Sequence, residues 1–183
     1  MITIYNNKTN INNGLFQIYM QFYSSIAKGY DELYSEEQQI KHRIIKENLK
    51  IKNSDFLLDV GCGTGLLDFN CNVIGLDPSL DLLMQNNPLG HIENKIVARA
   101  ENMPFKDNSF DKVISVTSMH NFDSIGKGIQ EIKRVGKNEF AFSILKKTKN
   151  FDMIESKIKN NFNIRKIIDA KKDWIFICQK VFK

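Results

Sequence analysis

The chain has few of the residues from which disulfide frameworks and metal sites are built. Its 183 residues include only three cysteines and three histidines. The cysteines, Cys62, Cys71 and Cys178, are odd in number and show neither a CxxC pair nor the Cys/His spacing of a zinc site. We therefore expect free thiols and no bound metal.

Long hydrophobic runs and targeting segments are missing as well. No stretch approaches the roughly 18 uninterrupted apolar residues of a membrane helix. The first residues, MITIYNNKTNINNGLF, have neither the basic start nor the apolar run of a signal peptide. A soluble, cytoplasmic protein without a membrane span is expected. With 42% hydrophobic residues and no repeat or long linker, the chain should form a single domain, 1–183.

Acidic residues are scarce in the last third of the chain. Residues 126–183 carry 15 Lys and Arg against 6 Asp and Glu, whereas residues 1–125 carry 11 against 15. A basic region of this kind can attract RNA or another polyanion. A solvated lysine-rich face explains the same composition, so charge alone identifies no partner.

Short apolar segments alternate with helical patterns through the middle of the chain. Two segments, PSLDLLMQN (78–86) and DSIGKGIQEIKRV (123–135), have helical spacing, and the second begins with an Asp cap. The alternation predicts an α/β fold with a doubly wound, mostly parallel sheet that binds its ligand at the carboxyl ends of the strands. The predicted strands are DFLLDV, NVIGL, KIVAR, FDKVISV and NEFAFSIL.

Both ends of the chain depart from this alternation. Residues 1–13 are polar and should be loosely docked, and residues 14–50 form helical stripes, so that 1–50 is an N-terminal helical segment able to act as a lid. The cofactor-binding core would occupy 51–145. In the remaining part, 146–183, a helix is followed by FNIRKIIDA and DWIFICQKVF, which the tight link KKD should join as an antiparallel hairpin.

A glycine turn and two acidic residues identify the candidate site. Gly61, Gly63 and Gly65 follow directly on the first predicted strand, where a ligand must approach the backbone closely. Asp77 ends the second strand, where a carboxylate can accept hydrogen bonds from both hydroxyls of a ribose. The third glycine comes one residue earlier than in dinucleotide sites, and Asp59 before the turn would repel a phosphate and attract an ammonium group.

A purely structural interpretation exists for two of these features. The glycines can shape a strand-to-helix turn, and Asp77 can cap the helix that follows it. Neither explains Asp59 together with the motifs further along the chain.

Several segments in order carry a family resemblance. LLDVGCGTG, VIGLDPS, ARAENMPFKDNSFD and VISVTSMHNF match four successive motifs, with FYSSIAKGYDELY before them and IQEIKRV after them. In these segments the chain resembles the class I S-adenosylmethionine-dependent methyltransferases, in particular the methyltransferase type 11 group that includes the ubiquinone and menaquinone methyltransferases. The resemblance implies S-adenosyl-L-methionine as cofactor and a Rossmann-like seven-stranded sheet of order 3-2-1-4-5-7-6.

The resemblance also implies where the methionine part of the cofactor would bind. Asp59 and the backbone of Gly61, Cys62 and Gly63 would hold it, and Gly65 would complete the turn. All of these residues belong to the first motif, at the end of the first strand.

The ribose and adenine would contact residues of the next two motifs. Asp77 would bind the ribose, with Pro78 beside the adenine and the backbone amide of Ala100 facing the ring. Arg99 stands where the family usually has Asp or Asn. Because arginine only donates hydrogen bonds, either Glu101 takes over recognition of the adenine amino group or the adenine end is bound less tightly.

Transfer from a sulfonium cofactor is an in-line displacement, in which the protein chiefly positions donor and acceptor. His120 is the best-placed base if the acceptor must lose a proton, but capping of the strand end or packing at the rim is the favoured interpretation, because enzymes of this kind often need no base. Tyr30 could close over the cofactor carboxylate and Tyr23 could line the acceptor side, or both are packing aromatics. Ser115 in the fourth strand completes the expected cofactor site.

The acceptor is the least determined part. TSMHNF replaces the Asn/Asp-Pro-Pro-aromatic motif of adenine and cytosine methyltransferases, and the later loops hold no insertion of lid size. A small, quinone-like acceptor is favoured by family analogy. The alternatives are a methyltransferase acting on RNA or protein through the basic last third, or a noncatalytic cofactor-binding subunit. A homodimer or a partner subunit is also compatible with the sequence.

The first crossover is unusually short. Only 11 residues, 61–71, separate the first two strands, close to the minimum of about a dozen for a parallel crossover. Asp68 and Asn70 make LLDFNC a poor helix. We expect a shortened first crossover helix of one or two turns, which leaves part of the sheet for the N-terminal helices or a partner to cover.

Overall fold

A mixed, mostly parallel sheet runs through the middle of the computed structural model, which describes residues 2–4, 37–85 and 92–181. The order across the sheet is β1-β4-β3-β2-β5-β6-β8-β7. Without β1, the remaining strands have the predicted order 3-2-1-4-5-7-6. In chain order the strands are β1 (Ile2–Ile4), β2 (Phe56–Val60), β3 (Asn72–Asp77), β4 (Asn94–Val97), β5 (Phe110–Val116), β6 (Gly136–Leu145), β7 (Phe162–Ala170) and β8 (Asp173–Lys180).

Strand β1 is an addition to the predicted sheet. It pairs in parallel with β4, with Ile2 opposite Lys95 and Ile4 opposite Val97. The expectation of a loosely docked start was therefore wrong for residues 2–4. The Ile-Thr-Ile segment has high strand propensity, and β4 would otherwise leave its backbone groups unpaired at the edge of the sheet.

Helices connect most of the parallel strands. They are α1 (37–49), α2 (Leu80–Met84), α3 (Ile125–Val135) and α4 (Phe151–Asn161), with a 3₁₀ turn at Met119–Asn121 between β5 and α3. The predicted Asp cap of α3 is wrong, because Ser124 is the N-cap residue and Asp123 pairs with Arg99 instead. The part of the expected N-terminal helices between 14 and 36 lies outside the described residues.

The two faces of the sheet are covered by different helices. Successive residues of β5, Val113 and Ile114, belong to opposite faces, as the alternation of a strand requires. Helices α3 and α4 cover the first face, with Ile129 and Ile154 fully buried. Helix α1 covers the second face. The sheet is therefore doubly wound, as predicted.

No helix forms in the first crossover, residues 61–71, so the expectation of a shortened helix there was wrong, although the segment stays below three helical turns as expected. The segment crosses in turns and extended backbone, and Leu67 and Phe69 bury their side chains where a helix would pack. Helix α1 packs against them, with the His42 ring edge-on to Phe69 and the Lys46 ammonium 5.8 Å from its ring centroid. Helix α1 thus covers the part of the sheet face that the short crossover leaves open.

The C-terminal hairpin is confirmed. β7 and β8 pair antiparallel from Phe162 opposite Lys180 to Ala170 opposite Asp173, and β8 also pairs antiparallel with β6. This arrangement brings Asp173, at the start of β8, to the same edge of the sheet as the carboxyl ends of the parallel strands. None of the described helices is long and apolar enough to cross a membrane.

Candidate active site

The glycine turn is bound to the end of the neighbouring strand. The backbone amides of Gly61 and Cys62 both donate to the Leu76 carbonyl, at 2.7 and 3.2 Å. Gly61, Gly63 and Gly65 have φ angles of +78°, +55° and +86°. Residues with a Cβ rarely adopt these angles, which explains glycine at all three positions.

Gly61 also lies directly against the loop that follows β5. A Cβ added there would come within 2.4 Å of the Cβ of Ser118. The Ser118 hydroxyl donates to the Val60 carbonyl at 2.8 Å and lies 2.6 Å from the hydroxyl of Ser115. Ser115 itself is fully buried. In this structure Ser115 therefore positions Ser118, which in turn closes the glycine turn.

Asp59 is a buried carboxylate with an unsatisfied oxygen. The residue is 4% exposed, and its Oδ1 accepts no hydrogen bond within the part of the chain that the structure describes. Burial, with a smaller contribution from the neighbouring Asp77, raises the pKa of Asp59 to about 7. A buried acceptor without a partner is costly. The site is therefore suited to a ligand that brings a positive charge or a hydrogen-bond donor.

Asp77 binds the backbone of the turn with both oxygens. Oδ2 accepts from the Gly63 amide at 2.9 Å, and Oδ1 accepts from the Ser79 amide at 2.8 Å. Burial raises the pKa of Asp77 to about 6, and these two hydrogen bonds oppose the shift. Each carboxylate oxygen has a second lone pair that can accept from a hydroxyl. The structural and the ligand-binding interpretations of Asp77 are thus compatible.

A cleft adjoins the glycine turn, and Gly61, Pro78 and Ala100 contribute to its lining. Two other predicted residues, Arg99 and Glu101, also line it. The Arg99 guanidinium pairs with the Asp123 carboxylate, and Glu101 Oε1 accepts from the Ser124 amide at 3.0 Å. The candidate adenine contacts are therefore held by the loop that precedes α3.

His120 lies in the 3₁₀ turn after β5 and is partly buried. Burial lowers the pKa of His120 below its usual value of 6.5, while Asp173 opposes the shift and Lys41 adds to it. The imidazole is therefore neutral at pH 7 and able to accept a proton. Tyr30 and Tyr23, the expected aromatic contacts, lie outside the described residues.

Two buried charges beside the loop after β5, those of Lys41 and Asp173, were not predicted from the sequence. Lys41 on α1 is 1% exposed, and its ammonium lies 3.2 Å from the carboxylate of the fully buried Asp173. A signal was available for Lys41, since it stands four residues before Ile45 and eight before Leu49, the spacing of one helix face. A lysine on the buried face of a helix indicates a buried partner.

The cysteines and the candidate metal ligands contribute little to the site. Cys62, Cys71 and Cys178 are free thiols. Burial raises the pKa of Cys62 far above its usual value, so this thiol is not a nucleophile at neutral pH. Within the described residues, no group of three or more His, Cys, Asp or Glu is placed to hold a metal ion.

Comparisons with known proteins agree with this geometry. Residues 58–143 match a family described as a methyltransferase domain. An uncharacterized protein of Methanocaldococcus jannaschii is 33% identical in an alignment of 174 residues, and the alignment covers 83% of this chain and 66% of that protein. A demethylmenaquinone methyltransferase of Symbiobacterium thermophilum is 32% identical over 153 residues, covering 74% of this chain and 61% of the relative. The chain thus spans slightly less than two thirds of the length of these relatives.

Solved structures share the fold at low sequence identity. A SAM-dependent methyltransferase from Aquifex aeolicus superposes with a TM-score of 0.70 at 18% identity, covering 86% of this chain and 98% of that chain. A magnesium protoporphyrin IX methyltransferase from Synechocystis, determined with bound SAM, gives a TM-score of 0.67 at 14% identity, covering 96% of this chain and 100% of that chain. These similarities show the fold.

Proposed function

We propose that the chain is an S-adenosylmethionine-dependent methyltransferase that transfers a methyl group to a small-molecule acceptor; the match of residues 58–143 to a methyltransferase domain and the similarity to a demethylmenaquinone methyltransferase support this. The observation that carries the proposal is the buried, unsatisfied carboxylate of Asp59 beside a turn of positive-φ glycines. That arrangement is of little use to a dinucleotide, whose phosphates it would repel. It suits a nucleoside that carries an ammonium group.

The residues of the site fit S-adenosylmethionine. We propose that Asp59 receives the ammonium of its methionine part and that the backbone of Gly61, Cys62 and Gly63 lies against the same part. When bound, this cofactor supplies a methyl group on a sulfonium, which an acceptor displaces directly. The protein then has to bind the cofactor and the acceptor, orient the acceptor toward the methyl group, and exclude water from the site.

Asp59 is suited to bind such a cation because of its environment. Its raised pKa, about 7, means that the protein without ligand holds the carboxylate partly protonated at neutral pH. A cation at hydrogen-bonding distance would favour the ionised form and satisfy Oδ1. Ligand binding should therefore release a proton from this group.

Asp77 and the cleft would hold the nucleoside. The ribose hydroxyls would donate to the remaining lone pairs of Asp77, and the adenine would lie between Pro78 and Ala100. Arg99 cannot accept from the adenine amino group and is paired with Asp123. We propose that Glu101, which lines the same cleft, provides the acceptor.

His120 would act at the acceptor end. We propose that its neutral imidazole takes the proton of an acceptor hydroxyl or amine as the methyl group is transferred. The N-terminal segment, 1–50, would roof this end of a single-domain enzyme. Its described helix α1 already reaches the turn after β5, where the Lys41 ammonium donates to Thr117 Oγ1 at 2.9 Å.

A small-molecule acceptor is favoured over RNA by the state of the basic last third. Several of its cations are already neutralised by carboxylates: Lys146 by Asp169 at 2.6 Å, Arg165 by Glu139 at 3.3 Å and Lys172 by Glu37 at 2.7 Å. Paired cations release fewer counterions when they approach a nucleic acid. The relatives include quinone methyltransferases at up to 32% identity and tRNA methyltransferases at up to 29%, and the higher identity of the former supports the same choice.

The acceptor class can be tested with a radiolabelled methyl donor. The full chain would be incubated with labelled S-adenosylmethionine and a cell extract, which is then separated into organic-soluble metabolites, RNA and protein. Label is expected in the metabolite fraction, and the Asp59→Asn variant should transfer none. Label confined to RNA or protein would contradict the small-molecule acceptor. A chain that binds S-adenosylhomocysteine but labels no fraction would contradict catalysis.

A further inference from the structure

A group of buried polar side chains, here called the Lys41 cluster, lies beside the proposed acceptor end. The Lys41 ammonium lies 3.2 Å from Asp173 Oδ2 and 3.1 Å from Glu37 Oε1. It also donates to Thr117 Oγ1 at 2.9 Å. The hydroxyls of Thr117 and Ser143 both donate to Asp173 Oδ2. The cluster therefore joins α1, the loop after β5, β6 and the start of β8.

Stability alone does not account for this cluster. Burying two charges is expensive, and replacing a buried ion pair by neutral groups of similar size is often neutral or stabilising. Here the expense is greater, because the fully buried Asp173 keeps one oxygen, Oδ1, that accepts no hydrogen bond from the described residues. The arrangement therefore points to a role in function.

The contacts of the Lys41 cluster hold Thr117 in a backbone conformation that is unfavourable for threonine. Thr117 has a φ of +53°, and a β-branched residue is an outlier in this left-handed region. Its amide donates to the Ser143 carbonyl at 2.9 Å, and its hydroxyl is fixed between Lys41 and Asp173. Strain of this kind persists where surrounding contacts determine it, often at functional sites.

The strained residue is directly connected to both ends of the proposed active site. Ser118, the next residue, donates to the Val60 carbonyl and lies against Gly61 of the cofactor turn. His120 follows in the 3₁₀ turn that begins at Met119. A change of φ at Thr117 would redirect the chain at Ser118 and displace both contacts.

We propose that the Lys41 cluster is a positioning device for methyl transfer, in which the buried Lys41–Asp173 pair holds Thr117 left-handed and so fixes Ser118 against the cofactor turn and His120 at the acceptor end. Lys41, Asp173 and Thr117 are positioning residues. The proposal rests on the proposed function, since it requires a cofactor at the glycine turn. It also gives helix α1 a direct influence on that turn.

The first test compares two substitutions of one residue in the full chain. Thr117→Ala and Thr117→Gly both remove the bridging hydroxyl, but only glycine adopts a φ of +53° without strain. S-adenosylhomocysteine affinity is measured by calorimetry and folding by thermal melting. We expect Thr117→Ala to bind roughly 5- to 30-fold more weakly, the factor that corresponds to the cost of a left-handed Cβ-bearing residue. Thr117→Gly should bind within about threefold of the parent. Equal affinities for the two variants would overturn the proposal.

The second test removes the charges. The double variant Lys41→Met/Asp173→Asn keeps the volume and leaves no unpaired charge, so it should melt within a few degrees of the parent. It should nevertheless bind S-adenosylhomocysteine about 5- to 30-fold more weakly, and adding Thr117→Gly should restore most of the affinity. A purely structural role predicts no such rescue. Lys172→Met removes an exposed partner of Glu37 and leaves Lys41, Asp173 and Thr117 unchanged; it is the matched control and should bind as the parent does.

The outcomes separate this proposal from the proposed function. If the parent binds S-adenosylhomocysteine and the double variant binds it equally well, the positioning role is wrong and the proposed function is unaffected. A double variant that binds weakly but is not rescued by Thr117→Gly also overturns the role assigned to Thr117. If the parent does not bind S-adenosylhomocysteine at all, the proposed function fails, and the positioning role fails with it.

Discussion

Replacing Asp59 by asparagine should stabilise the protein without ligand while removing its affinity for the cofactor. Burial raises the pKa of Asp59 from 3.8 to about 7, so the folded protein binds this proton more tightly than the unfolded chain does. The resulting stabilisation is complete below a pH of about 4 and is lost as the pH rises to about 7. Above that, the parent carries a buried, unsatisfied charge that Asp59→Asn lacks.

The size of this effect follows from the pKa shift. A shift from 3.8 to about 7 corresponds to at most about 4 kcal/mol of unfolding free energy. For a chain of this length, that upper bound corresponds to a rise in melting temperature of about 8 to 16 °C at a pH of about 8. At a pH of about 4, where the parent carboxyl is neutral, parent and variant should melt together.

Thermal melting of both proteins across this pH range, with and without S-adenosylhomocysteine, is the assay. Ligand should raise the melting temperature of the parent and leave that of Asp59→Asn unchanged. Parent affinity should fall about tenfold between a pH of about 8 and a pH of about 6, because binding then requires the carboxyl to lose its proton. A variant less stable than the parent at high pH would contradict the buried charge at Asp59, and one that binds as well as the parent would contradict its role in binding the ligand.

Three further predictions concern other parts of the fold and site. His120→Ala should lower turnover about 10²- to 10³-fold on an acceptor that loses a proton, with S-adenosylhomocysteine affinity unchanged in calorimetry, and full turnover would show that no base is needed. Gly61→Ala should lower the free energy of unfolding, measured with denaturant, by about 2 to 4 kcal/mol, because its Cβ would meet Ser118 at 2.4 Å in a left-handed backbone. A loss below about 1 kcal/mol would contradict the close contact. Phe69→Ala should lower the free energy of unfolding by about 3 to 5 kcal/mol, since the buried ring takes the place of a crossover helix. Phe56→Ala, at a ring that is half exposed, should lower it far less, and equal losses would show that Phe69 has no such role.

Local sequence patterns were sufficient for the strands of the core. Short apolar runs such as FDKVISV, found at Phe110–Val116 as predicted, bury both faces of a parallel strand and need no distant partner to be recognised. The tight KKD link likewise predicted the antiparallel pairing of β7 with β8. These features depend on neighbours in the chain, which the sequence displays directly.

Features that depend on distant residues were not predictable in the same way. Strand β1 forms only because β4, about 90 residues away in the chain, offers an edge for residues 2–4. The Lys41–Asp173 pair joins residues on α1 and β8, and no local pattern relates them. Asp123 was expected to cap α3 but pairs with Arg99, since a side chain follows the stronger partner available in the folded structure.

The first crossover shows how a local signal can be right in direction and wrong in detail. Its 11 residues, with Asp68 and Asn70, indicated little helix, and the structure has none. What replaces the helix depends on α1, whose Ile45 and Leu49 pack in the same core cluster as Leu67. Gly61, Cys62 and Gly63 lie in the turn that opens this segment, whereas Asp59 and Asp77 lie on the strands at either side of it. The residues proposed to touch the cofactor are therefore all present although the crossover is short.

The proposed function requires that Asp59, the glycine turn and Asp77 together bind S-adenosylmethionine. Calorimetric titration of S-adenosylhomocysteine into the full chain and into the Asp77→Asn variant measures this binding. We expect saturable binding of one molecule per chain to the parent, with release of a proton near neutral pH, and a loss of at least about tenfold in affinity for the variant. Absence of binding to a folded parent, or equal binding to both proteins, would contradict it.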